Sequence, residues 1–304
     1  MKKGVQGSNY YADESIEEWR YNPYRRKNRQ IADESYKTNK ILPFPLHLIV
    51  EVSSKCNLKC DFCNREVMTR PEQNMDLETF KKIVREAAEN GVYSISMYCL
   101  GEPFMNPDLR EMIIFAKRMG IPYVDVSTNG TFDMTSALGT GLNEIIVNAY
   151  TPSDAVHRYE LMCERDDLDH NHTPLIRLQL IDLPQYKERN EKIIKNIEYF
   201  DADVVYLKNV EVFSQSLGDK NLSQEEIDKR MKDRKACKQL YFVLTVNSNG
   251  DIAYCCHDPK GKSVLGNLKD MTLKEAWDKM AEMRECHLKG VYTELCRSCC
   301  DWSW

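Results

Sequence analysis

The sequence predicts an α/β fold, a parallel sheet covered by helices, followed by a small cysteine-rich domain. Two observations carry this. From residue 46 onward, apolar β-type runs alternate with helix-period segments, the pattern of repeated βα units. The 12 cysteines are clumped, three at positions 56–63 and six from Cys255 to Cys300, as ligand sets are.

Residues 1–44 are polar, rich in Tyr, Arg, Asn and Asp, and end at the Pro43 and Pro45 breaks; they read as an extension before the first core element. The βα units are expected over 45–218. Their strands are LHLIVEV, ISMY, YVDVS, EIIVNAY, LIRLQLI and DVVYL, and their helices LETFKKIVREAAEN, DLREMIIFAKRMG and YKERNEKIIKNIEYF. In such sheets ligands sit at the carboxyl ends of the strands, so functional motifs should follow strands. The charged stretch 219–236 reads as a helical connector to a second domain over 237–304. There YFVLTVNSNGDIAYC reads as a hairpin turning at Ser248–Gly250. TLKEAWDKMAEMREC has helical spacing, with Thr272 and Glu275 as a capping box and the methionines of 271–283 on the core face.

A net charge of −5, with basic and acidic residues interspersed, argues against a nucleic-acid partner. The start lacks the basic-then-apolar pattern of a signal peptide, and no run of about 18 apolar residues occurs. We therefore expect a cytoplasmic chain with no membrane partner. In a reducing compartment, 12 cysteines indicate metal or redox chemistry rather than disulfides.

Directly after the first predicted strand comes Cys56-Asn-Leu-Lys-Cys60-Asp-Phe-Cys63. Three thiolates hold three irons of a [4Fe–4S] cube and leave the fourth iron open to a ligand that is not protein. For the triplet alone, zinc or reduced spare cysteines are the alternatives. After the second strand stands Leu100-Gly101-Glu102-Pro103, a turn plus a carboxylate suited to a bound ammonium, and otherwise a common loop. After the third comes Ser127-Thr128-Asn129-Gly130, otherwise an ordinary turn.

In this order after successive strands, the three segments resemble the radical S-adenosylmethionine (SAM) superfamily. The resemblance implies that SAM chelates the open iron of a cluster held by Cys56, Cys60 and Cys63. It implies that Gly101, Glu102 and Pro103 bind the SAM amino group, that Ser127 and Asn129 lie beside its ribose and methionine, and that Phe62 lies near its adenine. At the fourth strand, Val147-Asn148-Ala149-Tyr150 departs from the serine, acidic residue and glycine of many relatives, although Asn148 can still meet a ribose hydroxyl. Arg177, in the fifth strand, is a candidate fork for the SAM carboxylate and equally a structural residue.

The later pattern is Cys237-x12-Gly250-x4-Cys255, Gly266-Asn267-Leu268, Trp277 and Cys296-x2-Cys299. It resembles the SPASM auxiliary-cluster domain in its shortened twitch form. That implies a second [4Fe–4S] cluster on Cys237, Cys255, Cys296 and Cys299, saturated and suited to electron transfer; a zinc ribbon on the same four is the alternative. Cys256 and Cys300 adjoin ligands and read as small buried hydrophobes. His157, His170, His172, His257 and His287 share no ligand spacing and are expected to be structural or exposed.

By this resemblance the fold is a partial (β/α)6 TIM-like radical SAM barrel with a small C-terminal twitch domain, and the cofactors are SAM and two [4Fe–4S] clusters. A flavodoxin- or ferredoxin-type reductant is implied. Twitch-type relatives oxidise 2-deoxy-scyllo-inosamine or epimerise a neomycin precursor, so a sugar-like small molecule, dehydrogenated or epimerised, is the leading expectation. Radical modification of a ribosomal peptide is the second, and a non-catalytic iron–sulfur or zinc scaffold is the reading from another class. Of the spare thiols Cys99, Cys163, Cys256, Cys286 and Cys300, only Cys99 stands by motif near the barrel mouth as a candidate hydrogen donor.

Overall fold

The computed structural model describes residues 4–6, 10–12, 23–60, 63–148, 174–182, 184–195, 204–209, 234–297 and 299, with single positions at 225, 228 and 232. The N-terminal segment supplies strands β1 (Gly4–Gln6) and β2 (Tyr10–Ala12) and helix α1 (Pro23–Thr38). There follow β3 (His47–Val50), α2 (Leu77–Glu89), β4 (Ser94–Met97), α3 (Leu109–Arg118), β5 (Tyr123–Thr128) and β6 (Glu144–Asn148). Beyond these lie β7 (Leu175–Asp182), α4 (Lys187–Lys195) and β8 (Val204–Asn209). The C-terminal part holds β9 (Val243–Val246), β10 (Asp251–Ala253), β11 (Val264–Asn267), α5 (Leu273–Leu288) and α6 (Glu294–Arg297).

All six predicted strands form, as β3 to β8, and each pairs in parallel with the next. Among the described residues β3 and β8 do not pair with each other, so the barrel is partial, and both of its edges are extended. The complete order is β1-β2-β8-β7-β6-β5-β4-β3-β9-β10-β11. Helix α2 forms because Asp76 caps it, accepting from the Thr79 N–H at 2.8 Å, and because Phe80, Ile83, Val84 and Ala87 make one buried stripe.

Strands of the N-terminal and C-terminal parts both join the sheet. Within the segment 1–44, β2 adds antiparallel to β8, and α1 packs against the turn that precedes β9. Tyr36 of α1 meets Tyr241 edge-on at 5.2 Å, and Lys238 pairs with Asp33 at 3.4 Å. In the C-terminal part, β9 joins β3 in parallel, with Leu48 opposite Leu244. Helix α5 carries the expected capping box of Thr272 and Glu275. Its first amides, Leu273 and Lys274, donate to the Glu86 carboxylate of α2 at 3.1 and 2.9 Å, and Trp277 Nε1 donates to the Leu42 carbonyl at 2.7 Å. One hydrophobic core therefore runs from α2 and the strands into α5. No described helix is long and apolar enough to cross a membrane. The expected connector at 219–236 lies largely outside the described residues.

Candidate functional site

The loop after β3 carries Cys56, Cys60 and Cys63, none in a disulfide and all partly exposed to one cavity. Two hydrogen bonds reach the Cys56 sulfur, from the Leu58 N–H at 3.5 Å and from Asn129 Nδ2 at 3.7 Å. The loop is fixed to its neighbours by short contacts. The Glu102 N–H donates to the Lys55 carbonyl at 2.7 Å, and Asn129 Nδ2 donates to Asn57 Oδ1 at 2.8 Å. A β-carbon on Gly101 would stand 2.0 Å from the Ser53 carbonyl oxygen, so only glycine permits this approach.

Glu102 is the centre of the mouth. It is 1% exposed, and its carboxylate accepts from the Phe104 N–H (3.0 Å), the Thr128 hydroxyl (2.8 Å) and the Asn129 N–H (2.6 Å). These donors fill three of its roughly four lone-pair sites and leave about one for a ligand cation. Burial nevertheless pushes its carboxyl up to about 6, against those hydrogen bonds. Gly130, at φ +74°, closes the turn that brings Asn129 there.

The cavity has a volume of about 830 Å³ and is continuous from the cysteine loop down the barrel lumen. Its upper wall includes Cys56, Cys60, Cys63, Gly101, Glu102, Ser127, Asn129 and Asn148. Asn148 Nδ2 donates to the Ser127 hydroxyl at 3.1 Å and to the Thr128 carbonyl at 2.9 Å, while its own oxygen accepts from Gln179. Lower in the lumen the strands present polar groups where a filled barrel has Val, Ile and Leu. His47 Nδ1 and the Ser94 hydroxyl are 2.6 Å apart, and Ser96 donates to the buried Asp125 carboxylate at 2.6 Å. Asn28, Arg29, Ala32 and Asp33 of α1 line the far end beside Tyr93 and Tyr123, so the N-terminal helix forms the floor.

The second cysteine set comes together around the start of α6. Cys296 is buried in the core, Cys237 and Cys255 pack against it, and the Cys299 N–H donates to the Cys296 carbonyl at 3.2 Å. The Cys255 thiol is pushed well up by burial, then by Cys256, Cys299 and Cys237; Tyr254 is raised by burial and by Cys296 and Cys255. No three described His, Cys, Asp or Glu side chains converge on a single-ion position. A [4Fe–4S] cube instead assigns one iron to each thiolate, and two groups of unbridged thiols fit that chemistry.

Several expected residues need comment. Arg177 is ion-paired with Glu144, a fully buried carboxylate that also accepts from the Tyr123 hydroxyl at 2.5 Å, and it is not among the residues lining the cavity. Pro103 is buried at the start of a short 3-10 turn beneath the mouth. Cys99 lines the cavity, its thiol donating to the Cys256 carbonyl at 3.2 Å, and Cys256 lines it too. Phe62, Cys163, Cys300, His157, His170 and His172 lie outside the described residues. His257 lines the cavity, and buried His287 accepts from the Cys237 N–H at 3.3 Å. His287 is structural, as expected; no motif marks His257 at the cavity, or Asn57 beside Asn129.

The Radical SAM superfamily model matches residues 50–168, and that of the SPASM iron–sulfur cluster-binding domain matches 237–300. A probable GTP 3′,8-cyclase of Methanothermobacter marburgensis is 29% identical over 115 residues, 37% of each chain. A PqqA peptide cyclase of Xanthomonas campestris is 27% identical over 123 residues, 38% of this chain and 32% of that one. The matches thus span about a third of these relatives. Among solved structures, BtrN in complex with AdoMet and 2-DOIA superposes with a TM-score of 0.58 at 20% identity, covering 86% of this chain and 94% of that one. Native anSMEcpe with bound AdoMet gives 0.55 at 17% identity, covering 84% and 88%.

Arg177→Met should cost about 3–5 kcal/mol of stability in denaturant melts, because it strands the Glu144 charge, while SAM affinity stays within about twofold; weakened SAM binding without destabilisation would restore Arg177 to the SAM site. Below about 6 the Glu102 carboxyl is protonated and cannot pair with an ammonium. SAM affinity of the iron-loaded chain should therefore weaken by up to about tenfold per pH unit as pH is lowered through that value; a flat profile from about pH 5 to 7 would remove Glu102 from SAM binding.

Proposed function

Because the chain carries a radical SAM domain and a SPASM iron–sulfur domain, whose cofactors are SAM and [4Fe–4S] clusters, we propose that it takes a hydrogen atom from a carbon of a small hydroxylated, sugar-like molecule held in the barrel lumen, and oxidises that carbon. The observation that carries this reading is the floored cavity leading down from the cysteine loop, with hydroxyl, amide, carboxylate and imidazole groups on its wall. Cys56, Cys60 and Cys63 would hold the first cluster, with Gly101, Glu102, Pro103, Ser127, Asn129 and Asn148 around SAM; Cys237, Cys255, Cys296 and Cys299 would hold the second. So loaded, the site supplies a 5′-deoxyadenosyl radical, generated with an electron from a flavodoxin- or ferredoxin-type reductant, and a sink for one further electron.

The protein's own part is placement. Ser94, Ser96, His47 and Gln179 offer hydroxyl-directed hydrogen bonds, which suit a polyol and fix one C–H toward the mouth. Asp125, oriented by Ser96, offers a base for the proton that leaves a hydroxyl when its carbon becomes a carbonyl. Helix α1 limits the depth of the cavity, which favours a small molecule over a threaded peptide.

A second reading, epimerisation, is favoured by one observation. Cys99 and Cys256 face the same cavity, and burial, then the nearby Glu51 carboxylate, keep the Cys99 thiol protonated, the form that returns a hydrogen atom. Turnover of a panel of cyclitols and aminocyclitols in deuterated water separates the two. Oxidation predicts a product lighter by two hydrogens. Deuterium at the reacting carbon, lost in Cys99→Ala or Cys256→Ala, would assign epimerisation instead; turnover of peptides alone would overturn both.

A further inference from the structure

Glu51 stands immediately after β3, five residues before Cys56, and is fully buried. Its carboxylate collects donors from three separate pieces of chain. Arg70, on the return of the cysteine loop, donates through Nε at 3.2 Å and through a second guanidinium nitrogen. The Leu100 N–H, adjoining Gly101, donates at 3.2 Å. Ser248, in the turn between β9 and β10, donates its N–H at 3.1 Å and its hydroxyl at 3.0 Å. The same turn is gripped twice more: Gln73 Nε2 donates to the Ser248 carbonyl at 3.0 Å, and the Ser248 and Ser54 hydroxyls are 3.0 Å apart.

We propose that Glu51 is a positioning residue that couples the second cysteine set to the SAM loop. Strand β10 ends two residues before Cys255, so the seating of the hairpin depends on the state of that set. When the hairpin is seated, Ser248 supplies two of the donors that a buried carboxylate requires. When it withdraws, the charge is left short of partners in the interior, and Arg70 and the Leu100 amide must readjust around it. The backbone at Leu100 and Gly101 moves with that readjustment, and SAM affinity moves with the backbone. The inference rests on the reading of the first cysteine set as the SAM cluster site.

The test is a cycle on the full-length, anaerobically reconstituted chain, with SAM affinity measured by equilibrium dialysis of labelled SAM. Emptying the second set by Cys255→Ser with Cys299→Ser should weaken SAM binding about five- to tenfold in the otherwise native chain. In a Ser248→Ala background, where part of the link is already cut, the same change should cost less than about twofold. Equal losses in both backgrounds, or no loss in the native one, overturn the coupling. Hydrogen exchange of the iron-free chain gives a second readout, on Ser248→Ala and on Glu51→Gln with Arg70→Met, which removes the ion pair without stranding a charge. Residues 98–103 should exchange several-fold faster while α2 is unchanged. Acceleration in both regions alike, or in neither, overturns a positioning role. Should the native chain bind no SAM at all, the SAM-site reading fails by itself, and the exchange result still decides for or against Glu51.

Discussion

The site depends on holding a negative charge inside the protein at the top of a sheet. The Glu102 carboxylate is almost wholly removed from water and has to be satisfied there, and each of its hydrogen bonds is of the charge-assisted kind, worth about 1.5–3 kcal/mol. Its donors come from the loop after β4, the last residue of β5 and the loop that follows it, and its own N–H reaches back to the loop after β3. Three consecutive βα loops are locked together by one residue. The price is a raised carboxyl pKa, and the return is a rigid rim into which the cysteine triplet is set. Gly101 belongs to the same device, because any side chain there would separate the first two loops.

Below the rim, the lumen departs from the packing rule of closed barrels. Six parallel strands leave room at the centre, and the wall of that room carries hydroxyls, amides and an imidazole paired to one another across strands. Such pairing keeps the polar groups satisfied before a ligand arrives, and exchange of those bonds for bonds to a ligand is nearly neutral in free energy, so shape and register decide what binds. Closure at the bottom falls to α1, and closure at the open edge falls to β9, which adds directly to β3. The N-terminal helix and the C-terminal hairpin are therefore parts of the cavity.

Much of this was legible in the sequence, and the reasons are local. Runs such as Leu48-Ile-Val and Ile145-Ile-Val announce strands, and cysteine and Gly-Glu-Pro motifs announce themselves by spacing. What stayed hidden is non-local. Residues 1–44 read as an appendage because their apolar partners, Tyr241 among them, lie about 200 residues away. Arg177 looks the same to a sequence reader whether it meets a ligand or Glu144, and only the register of β6 against β7 decides. Glu51 sits in an apolar run and has no motif; its importance lies entirely in partners at 70, 100 and 248. Asn57 and His257 are hidden for the same reason.

The claim that the cysteine loop, Glu102 and the lumen form one radical SAM site is tested most directly by supplying anaerobically reconstituted protein with SAM and dithionite and looking for 5′-deoxyadenosine. The account predicts that it forms with the native chain and is abolished by Cys60→Ala, in which the iron of the second set, held in a separate part of the sheet, is retained. Absence of 5′-deoxyadenosine from the iron-loaded native chain, or its persistence in Cys60→Ala, would contradict it.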